Sequence, residues 1–178
     1  MSEFARSRSA QLTELVTANS TSLMKYFLRR IDICEDAADL LSDTYLVAWR
    51  KVRTLPSDTE SARMWLFGVA QNTLRNHHRS TRRRAALVEV LRSNISKVAS
   101  SQTDRSDRRI DTRAAIGTLP DPQRELILLV YGDGFSLEDA AKLLNIPAST
   151  ARSRHASAKE SLASLLASAT SPSPGESP

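Results

Sequence analysis

The sequence predicts an all-α protein: two small helical domains joined by a flexible linker, the C-terminal one a helix-turn-helix. Three observations carry that expectation. Apolar residues recur at three- and four-residue steps in two blocks, the spacing of helices that each bury one face. Aromatics make up 5% of the 178 residues and only 5 are glycine, which argues against a strand-and-turn fold. Between the blocks lies VASSQTDRSDRR, a polar, serine-rich, charge-mixed stretch that reads as a mobile linker. The expected division is residues 1–84, a linker at 85–112, a second domain at 113–168 and a disordered tail at 169–178, which ends in SPSPGESP.

In the first block, Leu12, Leu15, Val16, Leu23, Tyr26, Phe27 and Ile31 define a helix over 11–31. The polar run Asn19-Ser20-Thr21-Ser22 is a place where it could bend or divide. Asp32, three residues before Glu35, forms a capping-box pattern that would open a second helix running to about Arg53. Its inward stripe would be Leu40, Leu41, Thr44, Tyr45 and Ala48. Leu55-Pro56-Ser57-Asp58-Thr59-Glu60 reads as a loop. A third helix follows from about Ser61 to Arg83, with Trp65, Leu66, Val69, Ala70 and Leu74 inward. Leu87, Val88, Leu91, Ile95 and Val98 could prolong it weakly. Trp49 and Trp65 could each offer a stacking platform; helical periodicity favours the core for both.

In the second block, Asp121 precedes Pro122 and reads as an N-cap before a proline at the first helical position. Leu126, Ile127, Leu129 and Val130 follow, and Tyr131-Gly132-Asp133-Gly134 ends the helix. Ser136 and Asp139 form an S-x-x-D cap for a helix through Leu144. Asn145 tolerates a left-handed turn, and Pro147 opens a helix to about Leu166. Two helices across a three-to-four-residue turn make the helix-turn-helix outline. The second would enter the DNA major groove with its early residues at the bases. Ala151, His155, Ala158, Leu162 and Leu166 would face inward, and Ser149, Arg152, Ser153 and Ala156 outward, with Arg154 at the edge.

Net charge is +5, and it is uneven: residues 1–112 hold 19 Lys+Arg against 13 Asp+Glu, and residues 113–178 hold 6 against 7. A basic excess in the first part permits a polyanionic partner. The single cysteine, Cys34, allows no internal disulfide and reads as a small, half-buried hydrophobe. His77 and His78 are adjacent and cannot share a face, so no metal site is expected. No nucleophile–base set or glycine-rich phosphate loop suggests an enzyme, and no cofactor is expected. No apolar run approaches a membrane span, and MSEFARSRSA lacks the apolar core of a signal peptide, so the expected compartment is the cytoplasm.

Two charged faces remain. Asp36, Asp39 and Asp43 step by three and four, with Arg50 seven residues beyond. Such stripes are commonly just solvated, but an ordered acidic face on a basic chain also suits a protein partner. Arg75, Arg79, Arg82, Arg83 and Arg84 fall in ten residues without an acid, more than a helix end needs to complement its dipole, and suit a nucleic-acid backbone.

The wording of DAADLLSDTYLVAWR narrows these alternatives. It resembles the core helix of bacterial extracytoplasmic-function (ECF) sigma factors of the sigma-70 superfamily, roughly D-A-E-D-L-V-Q-E-T-F-L-R-A-W-R. Asp36, Ala37, Asp39, Leu40, Thr44, Leu46, Ala48, Trp49 and Arg50 match, Asp43 stands for the Glu, and Val47 replaces a usual basic residue. Trp65, Leu66, Val69, Ala70 and Asn72 fall on the family pattern W-L-x-x-I-A-x-N, while Ala62 replaces an aromatic and Gly68 an arginine. In the second block the matches are Leu119-Pro120, Gln123-Arg124-Glu125, Tyr131, Gly134, Ser136, Glu138, Ala141, Leu144, Ile146-Pro147, Thr150 and Ser153-Arg154. Asn145 and Ser149 replace usual glycines, His155 a leucine and Ser157 an arginine.

The resemblance implies a non-enzymatic promoter-specificity subunit of core RNA polymerase. Asp36, Asp39, Asp43 and Arg50 would bind the polymerase. Ser57, Asp58, Thr59, Glu60 and Ser61 would hold an extruded base of the downstream promoter element, with Asn72 and Asn76 hydrogen-bonding and Arg75, Arg79, Arg82 and Arg83 contacting DNA. Ser149, Thr150, Arg152, Ser153, Arg154 and Ala156 would read the upstream element. The implied partners are core RNA polymerase, promoter DNA and an anti-sigma factor; the free chain is expected to be a monomer without membrane insertion. The rival reading is a stand-alone helix-turn-helix regulator.

Overall fold

The computed structural model describes residues 3–93 and 112–170, and their regular structure is helical throughout. Backbone contacts divide the chain into two units, residues 1–102 and 103–178. The expected linker falls largely on 94–111, and the SPSPGESP tail on 171–178, both outside the described residues.

The first unit packs three helices: α1 (Glu3–Leu28), α2 (Cys34–Arg50) and α3 (Thr59–Ser93). The polar run at 19–22 does not break α1. Asn19 Nδ2 and the Ser20 hydroxyl donate back to the Leu15 and Thr17 carbonyls at 2.8 and 3.0 Å, so these side chains serve the helix instead of competing with it. The expected capping box does not form. Ile33 occupies the N-cap of α2 without a side-chain bond, so the helix starts with its first turn uncapped by Asp32. Cys34 therefore begins the helix and is exposed, not half-buried. At its other end α2 stops at Arg50, and a 3-10 turn, Val52–Thr54, takes the residues expected to continue it.

Tyr26, Phe27 and Phe67 centre the core, all essentially inaccessible. The Tyr26 ring meets Phe27 and Phe67 edge-on, at centroid distances of 5.2 and 5.7 Å. Leu12, Leu23, Leu40 and Leu66 of the same unit are buried as well. Burying each such side chain contributes about 1.5–3 kcal/mol. The stripe of α2 is narrower than expected: Ala37, Leu40, Thr44 and Ala48 are buried, while Leu41 and Tyr45 are half-buried. Partial burial pushes the Tyr45 phenol pKa up, and the Ser20 hydroxyl offsets part of that shift.

α3 is longer than expected at both ends. Asp58 caps it, accepting from the Ser61 N–H at 2.8 Å, so Thr59, Glu60 and Ser61 form its first turn and not a loop. It then runs ten residues beyond Arg83.

The second unit contains α4 (Thr112–Gly117), α5 (Asp121–Ile127), a π-turn (Leu128–Gly132), α6 (Leu137–Leu144) and α7 (Ala148–Thr170). Pro120, not Asp121, is the N-cap of α5; the Asp121 carboxylate instead pairs with Arg124 one turn on. The π-turn widens where Asp133 donates its N–H to the Leu128 carbonyl at 2.9 Å, and Gly134 at φ 74° lets the chain turn back so that Phe135 is buried. Ser136 caps α6 by accepting from the Asp139 N–H at 3.1 Å, and its hydroxyl bond to the Asp139 carboxylate, followed by Lys142, holds that carboxyl below its usual pKa. Asn145, at φ 53° and ψ 49°, makes the left-handed turn into α7.

Candidate functional site

Three helix faces carry the expected site residues. On α2, Asp39, Asp43 and Arg50 are exposed, and Asp36 is half-buried with its carboxylate 3.9 Å from His77 Nε2 on α3. Inward packing of Ala37, Leu40, Thr44 and Ala48 fixes that orientation. It also places Trp49 outside the core, 55% exposed, contrary to expectation. Trp49 lies nine residues after Leu40, and nine steps of a 3.6-residue helix point the opposite way. Leu46 is exposed beside it at 58%. The outward face is thus a ladder of Asp39, Asp43, Leu46, Trp49 and Arg50: an apolar anchor flanked by charge, the composition of a protein-docking surface.

The second face begins at the loop before α3. Ser57 and Asp58 lie in it and are exposed. The Ser61 backbone N–H, then its hydroxyl, lowers the Asp58 pKa, so the cap is charged near neutral pH. α1 reaches this loop. Arg8 Nη1 donates to the Leu55 carbonyl, and Gln11 Nε2 to those of Pro56 and Ser57 at 2.9 and 3.3 Å. Trp65 is half-buried and donates from Nε1 to Thr54 Oγ1 at 3.1 Å, so it braces the 3-10 turn. Nothing in the polar segment ARSRSAQ signals the Arg8 and Gln11 contacts, because they reach 45 or more residues along the chain.

Along α3, Leu66, Ala70 and Leu74 are buried, and Asn72, Arg75, Asn76, Arg79, Arg82 and Arg83 are exposed. No acid occurs between Glu60 and Glu89. Arg75, His78, Arg79, Arg82 and Arg83 line one open depression, which adds His78 to the expected set. Four guanidiniums within nine residues make a strong local positive potential, suited to phosphates.

On α7, Ala151 and Ala158 are buried against the rest of the unit. That turns Ser149, Arg152, Ser153 and Ala156 outward, all exposed, while Thr150 and Arg154 are half-buried. His155 does not join the core. It is half-buried, and its Nε2 lies 3.0 Å from the Tyr131 hydroxyl with the two rings nearly parallel. Ser157 accepts a hydrogen bond from Gln123 Nε2 at 3.2 Å, tying α7 to α5. Among the described residues no group of three or more His, Cys, Asp or Glu could hold a metal ion.

Comparisons with known proteins find matches to both units. Sigma-70 region 2 matches residues 15–84, which take in α2 and the first part of α3. Sigma-70 region 4 matches residues 109–162, which take in the helix-turn-helix. The ECF RNA polymerase sigma factor EcfG of Rhodopseudomonas palustris is 31% identical over 158 residues, covering 87% of this chain and 84% of that protein. SigL of Mycobacterium tuberculosis is 26% identical over 151 residues, covering 84% and 85%. The sigma factor RpoE of Bartonella quintana, solved in complex with the anti-sigma factor NepR, superposes with a TM-score of 0.66 at 26% identity, covering 89% of this chain and 96% of that one. CnrH, solved with the cytosolic domain of CnrY, shares the fold with a TM-score of 0.65. The chain belongs to the ECF sigma factors of the sigma-70 family, which direct RNA polymerase to promoters and initiate transcription there.

Proposed function

We propose that residues 1–84 dock on core RNA polymerase and open the downstream promoter element, and that residues 113–168 read the upstream element. The α2 ladder carries this reading: Asp39, Asp43 and Arg50 stand out from the fold around an exposed Leu46 and Trp49. Asp36, Asp39, Asp43 and Arg50 make the charged contacts to polymerase, and Trp49 supplies the apolar anchor. The arginine face of α3 then holds the backbone of the separated strand. Asn72 and Asn76 offer hydrogen bonds to bases, and an extruded base lodges against Ser57, Asp58 and the first turn Thr59–Ser61. Arg152 and its neighbours Ser149 and Ser153 read the major groove. Nucleotidyl transfer stays with the polymerase; this chain supplies recognition and strand opening.

RpoE of Bartonella quintana was solved in complex with the anti-sigma factor NepR, and we carry to this chain a partner of the same kind, an anti-sigma factor that masks the polymerase and DNA faces. No described helix is long and apolar enough to cross a membrane, and we place the protein in the cytoplasm with the DNA it acts on.

The test is charge reversal. Asp39→Arg with Asp43→Arg should weaken binding to core RNA polymerase by about 100-fold or more, since like charges then face a basic partner. Both side chains are exposed, so the thermal midpoint of the free chain should hardly change. Undiminished holoenzyme assembly, measured by fluorescence anisotropy of the labelled chain, would overturn the assignment.

A further inference from the structure

Three consecutive loop carbonyls, those of Leu55, Pro56 and Ser57, are captured by two side chains from one turn of α1. Both donors, Arg8 and Gln11, are half-buried. Both also precede the segment that matches sigma-70 region 2, which begins at residue 15. The rest of the loop is fixed from other directions. Leu55 is buried, the Leu55 N–H bonds the Val52 carbonyl at 3.2 Å, and Asp58 is committed to the cap of α3. Without the α1 donors the Pro56 and Ser57 carbonyls would turn to water, at little net enthalpic loss. These bonds therefore contribute less to overall stability than to choosing one loop conformation.

We infer that Arg8 and Gln11 are positioning residues that hold the 55–58 loop in the conformation competent to receive an extruded base, and so sharpen base selection at that position. The inference rests on the proposed role of this loop. Neither residue touches the base. They act by raising the populated fraction of the competent loop; strands bound while the loop is not competent are held without regard to that base, so selection falls as that fraction falls. Gln11 spans two carbonyls with one amide, and Arg8 reaches the third. Losing either donor frees the loop on one side while leaving the Tyr26–Phe27–Phe67 core untouched.

The experiment uses holoenzyme assembled from the full chain and core RNA polymerase, with a pool of random 12-nucleotide single-stranded DNA as probe. Bound strands are recovered and sequenced. The wild-type pool should be enriched for one base at the position held by the loop. Gln11→Leu and Arg8→Ala should each reduce that enrichment about fivefold, the equivalent of one ordinary hydrogen bond. Enrichment at neighbouring positions, polymerase affinity and the thermal midpoint should stay as in wild type. Arg8→Lys, which keeps a donor, should restore most of the selection. A purely structural role would lower all positions together with polymerase affinity, and that result overturns the inference. Wild-type enrichment left unchanged by Gln11→Leu and Arg8→Ala overturns the clamp alone. A wild-type pool without any enriched base overturns the role of the loop, and the clamp with it.

Discussion

α3 and α7 are the two helices we assign to DNA, and they are built differently. α3 stands on large apolar side chains, Leu66, Phe67 and Leu74, and then leaves the core as a rod whose residues 78–86 are all exposed. Its outward face is dense in arginine and carries no acid between Glu60 and Glu89. α7 stands on two buried alanines, Ala151 and Ala158, with half-buried His155 between them and half-buried Leu162 beyond. Its outward face is mostly serine and alanine. The first helix suits a ligand recognised by charge and strand opening. The second suits a duplex recognised by shape and by a few base edges. Small buried residues bring α7 close to α5, where Ala158 packs with Leu119 and Ile127, but they bury little apolar surface.

The largest effect should come from removing the charge of α3. Arg79→Ala, Arg82→Ala and Arg83→Ala together should weaken holoenzyme binding to single-stranded promoter DNA by about 100-fold near 0.1 M salt and reduce the slope of log K against log salt by about 2. Titration at several salt concentrations measures both. An unchanged slope would mean that these arginines face solvent in the complex and that the contrast between the helices is not electrostatic.

A smaller effect of a different kind is expected on α7. Arg152→Ala should cost about 1–3 kcal/mol on the preferred upstream sequence and much less on unrelated duplex, with the salt slope changed by about 1 or less. Competition binding between the two duplexes separates the cases. An equal loss on both would make Arg152 a phosphate contact and erase the distinction between a charge-reading and a base-reading helix.

Much of this was legible in the sequence, for local reasons. The Ser136 cap, the left-handed Asn145 and the outward set on α7 follow from short-range chemistry: a hydroxyl within reach of an N–H three residues on, a side chain that tolerates positive φ, and a 3.6-residue period. The face of α2 was readable in the same way for its carboxylates. It failed at Trp49, because large aromatics are ordinarily inside, yet the register set by Leu40 and Ala48 turns this one out. The Asp32–Glu35 capping box failed because a motif supplies the groups but not the backbone entry; Ile33 takes the cap position. Asp58 was expected in a loop whose end was placed two residues too late, since its capping role depends on the Ser61 N–H. The bracing of the loop by Arg8, Gln11 and Trp65 was beyond reach altogether. Those bonds join residues up to 47 positions apart and leave no periodic trace.

The smallest expected effect bears on the support of α7. At His155 the family pattern has leucine, and the imidazole here is half-buried between the two anchoring alanines. Its bond to the Tyr131 hydroxyl contributes little, because Tyr131 is 63% exposed and water can replace the partner. His155→Leu exchanges a partly desolvated polar ring for an aliphatic chain on the side that already faces Ala151 and Ala158. The second unit should gain about 0.5–1 kcal/mol in urea unfolding, the scale of one additional buried methylene. The outward residues Ser149, Arg152 and Ser153 keep their register, so duplex selectivity should stay within about twofold, well below the loss of one hydrogen bond. A loss of stability would show that the Tyr131–His155 pair is itself an anchor of α7. Its polar pairing would then do for this helix what Phe67 and Leu74 do for α3.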